Sequence, residues 1–170
     1  MLTIRDEETG DGPGIRAVLE TAFSSAVEAD LVDALRVTGA QPVSLVAVEG
    51  HRIVGHILFT PVVIDAAGHA ITGFGLGPMA VLPGRQRTGI GSTLVTEGIE
   101  RLRHAGCPFV VVVGHPDYYP RFGFVRASRC GVRCQWDQVP DDAFMIMVLD
   151  PAAAPTLAGL ARYRPEFDEV

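Results

Sequence analysis

A chain of 170 residues, 48% hydrophobic and 20% charged, is long enough for one globular domain whose core needs neither disulfide nor metal. Its formal net charge of −6 speaks against a nucleic-acid partner, since phosphate backbones are held by clustered cations, and arginine alone supplies the fourteen positive charges. The start, Met1-Leu2-Thr3-Ile4-Arg5-Asp6, turns charged at once, and the longest apolar runs, such as Phe109 to Val113, are far too short to span a bilayer. Neither a secretory leader nor a membrane partner is expected, and the expected location is the cytoplasm. Cys107, Cys130 and Cys134 are odd in number with no CxxC spacing, which reads as reduced thiols and not as a metal site.

Leu2 to Arg5 reads as a first strand. Asp11-Gly12-Pro13 opens a helix, with Asp11 as N-cap, and Ile15, Val18, Leu19, Ala22 and Phe23 follow the helical period. Ser25 and Glu28 have the spacing of a capping box for a second helix that carries Val27, Leu31 and Leu35 and ends at Gly39. Val43 to Val48 and Ile53 to Ile64 read as strands joined at Glu49-Gly50-His51-Arg52. After a turn at Asp65 to His69 comes a strand from Ile71 to Leu82. Gly73, Gly75, Gly77 and Pro78 interrupt it, so it should be bulged or unpaired near its middle. The clearest helix follows, Gly91 to Ala105, with Ile90, Leu94, Val95, Ile99 and Leu102 on one face. Gly106 stands at its C′ position and Pro108 ends it. Phe109 to Val113 is a buried strand, Asp117 to Phe122 at most a short helical turn, and Ala143 to Leu149 a late strand. Residues 1–150 then form one domain, and 151–170 a short tail packing on it.

The order β-α-α-β-β-β-α-β-α-β leads an antiparallel meander into a strand-helix-strand crossover. The strands flanking the long helix must be parallel if they pair, which predicts a mixed sheet flanked by helices, an α/β fold of α+β-like character.

Between that strand and that helix lies Gln86-Arg87-Thr88-Gly89-Ile90-Gly91. A glycine-rich turn opening a helix points free N–H groups and the positive end of the helix dipole outward, which suits a phosphate or pyrophosphate. A Walker loop is excluded by the absence of lysine. A Rossmann fingerprint at Gly73-Phe74-Gly75-Leu76-Gly77-Pro78 is disfavoured because strand-like residues follow it. The hexapeptide matches the Q/R-x-x-G-x-G/A signature of the GNAT acyltransferase superfamily. Leu76 to Pro83 resembles that family's central strand, and Tyr119-Pro120-Arg121-Phe122-Gly123-Phe124 its Tyr-x-x-x-Gly-Phe segment. The resemblance covers roughly residues 1–150.

The resemblance implies a GNAT fold and an N-acetyltransferase that moves the acetyl group of acetyl-CoA to an amine by direct attack, with no metal. It implies that the amides of Arg87, Thr88, Gly89, Ile90 and Gly91 hold the pyrophosphate, with Gln86 and Ser92 as adjuncts. Met79, Ala80 and Val81 would pair with the pantetheine arm, and the N–H of Ala80 or Val81 would face the carbonyl oxygen. Tyr119 holds the position of the proton donor to the leaving thiolate, with Tyr118 as its neighbour. Many members carry a Glu on the central strand as base, but Phe74 to Leu82 has no acidic residue. His115 and Glu28, with Asp30 beside it, stand as alternatives, and so does a mechanism with no dedicated base. His56 reads as a partnered core residue. The acceptor is an amine on a small molecule or peptide, and a homodimer is compatible with the resemblance. The rival reading is a non-catalytic acyl-CoA-binding or sensor protein of the same fold.

Overall fold

The structure is a computed structural model that describes every residue except residue 41. The described chain forms two compact units: Met1–Phe59 with Gly77–Gly98 and Pro165–Val170, and Thr60–Leu76 with Ile99–Arg164.

In the first unit, β1 (Leu2–Asp6) pairs antiparallel with β2 (Val43–Glu49), and β2 with β3 (Arg52–Ala66). The β2–β3 hairpin closes at Glu49↔Arg52 around Gly50, whose φ of +63° fits a tight two-residue turn. Two helices follow β1, α1 (Gly12–Phe23) and α2 (Val27–Val37). They bury Ile15, Val18 and Leu19 from α1 and Leu31, Val32 and Leu35 from α2, the stripes that the periodicity marks. The strand β4 (His69–Val81) ends in this unit and leads through the loop into α3 (Ile90–His104). A Cβ on Gly55 would stand 3.1 Å from both Ile90 and Leu94, so this glycine lets the first turn of α3 lie close against β3. Ile90, Leu94 and Val95 are at most 2% exposed, each burial contributing about 2 kcal/mol. That apolar face anchors the helix whose N-terminus carries the glycine turn.

In the second unit, β4 pairs in parallel with β5 (Phe109–Val113) from Phe74↔Val110 to Leu76↔Val112, as the crossover requires. β5 continues antiparallel to β8 (Phe144–Val148), which takes the two-residue β6 (Val125–Arg126) on its other side. The far end of β3 pairs with β9 (Gly159–Arg162), and β9 with β7 (Val132–Cys134). Phe109, Val111, Ala127, Ile146, Leu157 and Ala161 fill its core. Strands β6, β7 and β9 lack an alternating pattern long enough to read in sequence, and β9 lies in the stretch 151–170 that reads as a tail. The turn at Asp117 to Phe122 is a 3-10 turn over Tyr119–Phe122.

Helix ends divide by what competes for the capping groups. The C-termini behave as read: Gly39 N–H donates to Arg36 O and Ala40 N–H to Leu35 O, and the same pair recurs at Gly106 and Cys107 after α3. The N-caps do not. Asp11 stands at the N-cap of α1 without capping it, because its carboxylate takes Arg5 at 2.6 and 3.1 Å and the Glu8 N–H at 2.7 Å. That cation holds the Asp11 carboxyl below its ordinary value. The Ser25–Glu28 capping box does not form either: α2 starts from Ala26, and Ser25 Oγ accepts the Val27 N–H instead.

His56 is fully buried, as a core residue with one partner. Arg36 on α2 donates to Glu7 Oε1 at 2.9 and 2.6 Å, Ser44 Oγ donates to Glu7 Oε2 at 2.5 Å, and His56 Nε2 lies 2.8 Å from Ser44 Oγ. With the one hydroxyl proton of Ser44 given to Glu7, His56 must donate through Nε2, leaving Nδ1 buried without a partner among the described residues. Burial, and then the charge of Arg36, pushes the imidazole down to about 3. The unfolded chain therefore takes up a proton at His56 near pH ~6.5 that the folded chain refuses. Stability from this group is present above that pH and falls as pH drops toward the folded value. Urea titrations of His56→Gln should show a pH slope shallower than wild type by up to about 1.4 kcal/mol per pH unit in that acid window, and an unchanged slope would contradict the buried neutral imidazole.

Candidate functional site

The turn from β4 into α3 is built within the first unit. Ala80 and Val81 are buried at the end of β4, Met79 is half-buried, and Pro83–Arg85 forms a 3-10 turn. Arg87 at φ +61° and Gly89 at φ +91° take the left-handed conformation from which anion nests are built. No Cβ at Gly89 would meet an atom within 4 Å, so its backbone conformation, not space, calls for glycine. The N–H groups of Arg87, Thr88, Gly89, Ile90 and Gly91 donate to no backbone acceptor among the described residues. The first-turn amides of a helix have no intrahelical partner, so the nest and the dipole of α3 coincide.

Side chains lock this turn from behind. Gln86 Nε2 donates to Val81 O at 3.0 Å, Thr88 Oγ1 to Arg85 O at 2.6 Å, and Thr93 Oγ1 to Gly89 O at 2.9 Å. Arg85 forms an ion pair with Glu49 at the end of β2. Gln86 thus spends its amide on the strand it leaves, and Ser92, one residue past the signature, is also partnered. Glu49 is a contributor that the sequence does not mark: it meets Arg85 because β2 pairs with β3 and β3 in turn accepts the Leu82 N–H at Val54 O at 2.9 Å.

Glu28 lies in the first turn of α2 with its Oε2 buried and without a hydrogen-bond partner among the described residues. The unformed capping box leaves this carboxylate with no structural task at the helix end. Asp30 is engaged, with Asp33, by Arg16 of α1 at 2.8 Å.

The other two candidate residues share one turn of the second unit. The carbonyl of His115 accepts the N–H of Tyr118 at 3.1 Å and of Tyr119 at 3.4 Å, while its imidazole is exposed. Tyr119 is 8% exposed. Its ring meets Tyr118 edge-on at 5.0 Å and Phe124 at 5.8 Å, with Phe122 at 6.4 Å. Burial, with the neighbouring Tyr118, pushes its phenol up to about 12, so it stays protonated throughout the working range of an enzyme. Trp136 packs on Tyr163 with ring centroids 4.8 Å apart.

A profile for the acetyltransferase (GNAT) domain matches residues 3–127. The chain belongs to the GNAT acetyltransferase family. It is 35% identical to the uncharacterized N-acetyltransferase YhbS of Escherichia coli strain K12, over 98% of this chain and 99% of that protein. It is 41% identical to the uncharacterized N-acetyltransferase YjhQ of the same strain over 72% of this chain and 68% of that protein. The crystal structure of YhbS in complex with CoA superimposes with a TM-score of 0.91 at 35% identity, covering 98% of this chain and 92% of that one. A GNAT family acetyltransferase from Brucella melitensis in complex with acetyl-CoA gives a TM-score of 0.81 at 36% identity, with 99% of each chain covered. The mixed α/β fold read from the sequence is therefore that of a GNAT acetyltransferase. Among the described residues no helix is long and apolar enough to cross a membrane, and no three His, Cys, Asp or Glu side chains gather as a metal-binding group.

If the Gln86–Val81 bond holds the nest in shape, Gln86→Ala should loosen the turn locally. Hydrogen exchange of the bonded amides of Arg85 and Gln86, which donate to Leu82 O and Pro83 O, should accelerate roughly 5-fold, the loss of about 1 kcal/mol, while exchange in β2 stays as in wild type.

Proposed function

We propose that the protein transfers the acetyl group of acetyl-CoA to an amine on a small molecule or peptide by direct attack, without a covalent acyl-enzyme. The observation that carries this reading is the nest of outward N–H groups at Arg87 to Gly91, fixed at the N-terminus of α3. Five amides, the helix dipole and the Arg87 guanidinium fit a pyrophosphate, which the YhbS and Brucella relatives support by their CoA and acetyl-CoA complexes. Met79, Ala80 and Val81 then offer strand backbone to the pantetheine arm, and the N–H of Ala80 or Val81 stabilises the carbonyl oxygen as it gains charge. Residues from 151 onward belong to the same catalytic domain.

In the transfer the amine nitrogen bonds to the acetyl carbon, the carbon–sulfur bond breaks, the amine gives up a proton and the thiolate gains one. Tyr119 is the donor to the sulfur. Its phenol, near 12, is a weaker acid than the departing thiol near ~8.5. Its main contribution is therefore a hydrogen bond that stabilises the departing thiolate while the phenol keeps its proton; the proton that the sulfur finally takes comes from water, and the one the amine gives up returns to water. Glu28 is favoured as base or as anchor of the incoming ammonium because its buried oxygen has no structural partner among the described residues. His115, exposed at the turn that carries Tyr119, is the alternative.

Release of free thiol from acetyl-CoA in the presence of an amine panel tests the reading. Amine-dependent release is expected; tight CoA binding with no release would instead identify a sensor. Tyr119→Phe should lower kcat by about 10²-fold and change the Kd for CoA by less than about 2-fold. An unchanged kcat would remove Tyr119 from the chemistry. Glu28→Gln should lose about 10²-fold at neutral pH and regain rate at alkaline pH, where the amine is already neutral, and His115→Ala should stay within about 3-fold of wild type.

A further inference from the structure

We propose that Gly114 is a positioning residue for the Tyr119 phenol, and that it is glycine because the ring occupies the space its side chain would take. This rests on the reading of Tyr119 as the hydrogen-bond donor to sulfur.

A Cβ built on Gly114 would stand 2.3 Å from Cε2, 2.8 Å from Cδ2 and 3.3 Å from Cζ of Tyr119. These are ring atoms on the edge that leads to the hydroxyl. Gly114 is not among the residues with positive φ, so its backbone would accept any residue; only space is at stake. Gly123, which ends the same turn, is the contrast: it sits at φ +105° and a Cβ there would meet nothing nearer than 3.8 Å.

Neither partner can yield without cost. The N–H of Gly114 donates to Ala143 O at 2.9 Å, one step beyond the Val113↔Phe144 pair of β5 and β8, so its Cα is fixed by the sheet. The ring is held on its other sides by Tyr118, Phe122 and Phe124, and its backbone by His115 O. A methyl group at 114 must tilt the ring and displace the hydroxyl by an appreciable fraction of an ångström. At a reacting centre a displacement approaching 1 Å costs on the order of 10²-fold in rate.

The test is a double-mutant cycle of Gly114→Ala with Tyr119→Phe, read as kcat and as KM for acetyl-CoA. Gly114→Ala should lower kcat by roughly 30- to 100-fold and leave KM within about 2-fold. On the Tyr119→Phe background, where no hydroxyl remains to misplace, it should cost less than about 3-fold more. Equal losses in both backgrounds would overturn the positioning role while leaving Tyr119 as donor. A Tyr119→Phe variant with the full wild-type rate would overturn the donor reading and this proposal with it. Should Gly114→Ala fail to fold, the Gly114→Ala/Tyr119→Ala variant, in which the colliding ring is gone, should regain a cooperative melt. Failure to do so would show that the collision lies elsewhere and refute the proposal.

Discussion

The amides of Arg87 to Gly91 set the terms for the rest of the first unit. Backbone donors left without an acceptor must face water or a ligand, and a helix start leaves several of them by construction. Here the turn adds more, because Arg87 and Gly89 take positive φ and the amides from Arg87 to Gly89 also lack a backbone acceptor among the described residues. Such a turn would be floppy alone. It is held by the buried face of α3, which Gly55 admits close against β3, and by three bonds that fold its side chains back onto its own backbone. Catalytic advantage from such donors comes from their being fixed before the ligand arrives.

Acidic groups follow a different logic. Asp11 has the sequence position of a helix cap, but a guanidinium two strand residues past Thr3 offers a charge-assisted fork that a backbone amide cannot match. Arg16 spreads its guanidinium over Asp30 and Asp33, and Arg36 spreads its own over Asp33 and Glu7. With lysine absent, arginine supplies the cation of the ion pairs seen among the described residues, and carboxylates within reach are drawn to it. Glu28 stands apart because neither a cap nor an arginine engages its buried oxygen among the described residues. That makes it a better candidate for a charged partner from outside the chain than its spacing from Ser25 suggests.

Elements with a long period were legible: α3 and β5 fall within a residue of where periodicity puts them, and the glycines at 39 and 106 end their helices as read. Strands β6, β7 and β9 were not, because two to four residues carry no pattern and exist only where a neighbouring strand completes their hydrogen bonds. Of the candidate site, the backbone shape of the loop was legible, because such a shape is written locally in its glycines. The Glu49–Arg85 pair joins residues far apart in the chain, and the seat of Tyr119 against Gly114 depends on where the sheet fixes residue 114, so no local pattern announces either.

The sequence by itself carried the resemblance that named the family: the Gln86 to Gly91 turn between an interrupted strand and an amphipathic helix, with the Tyr119 segment following, matches the GNAT pattern, and the absence of lysine excludes a Walker loop. Only the tertiary structure decided which carboxylates are already spoken for, how deeply the Tyr119 phenol is buried, and why residue 114 has no side chain. The reason is physical: backbone conformation is set by near neighbours in the chain, whereas charge pairing, burial and excluded volume are set by whatever the fold brings alongside.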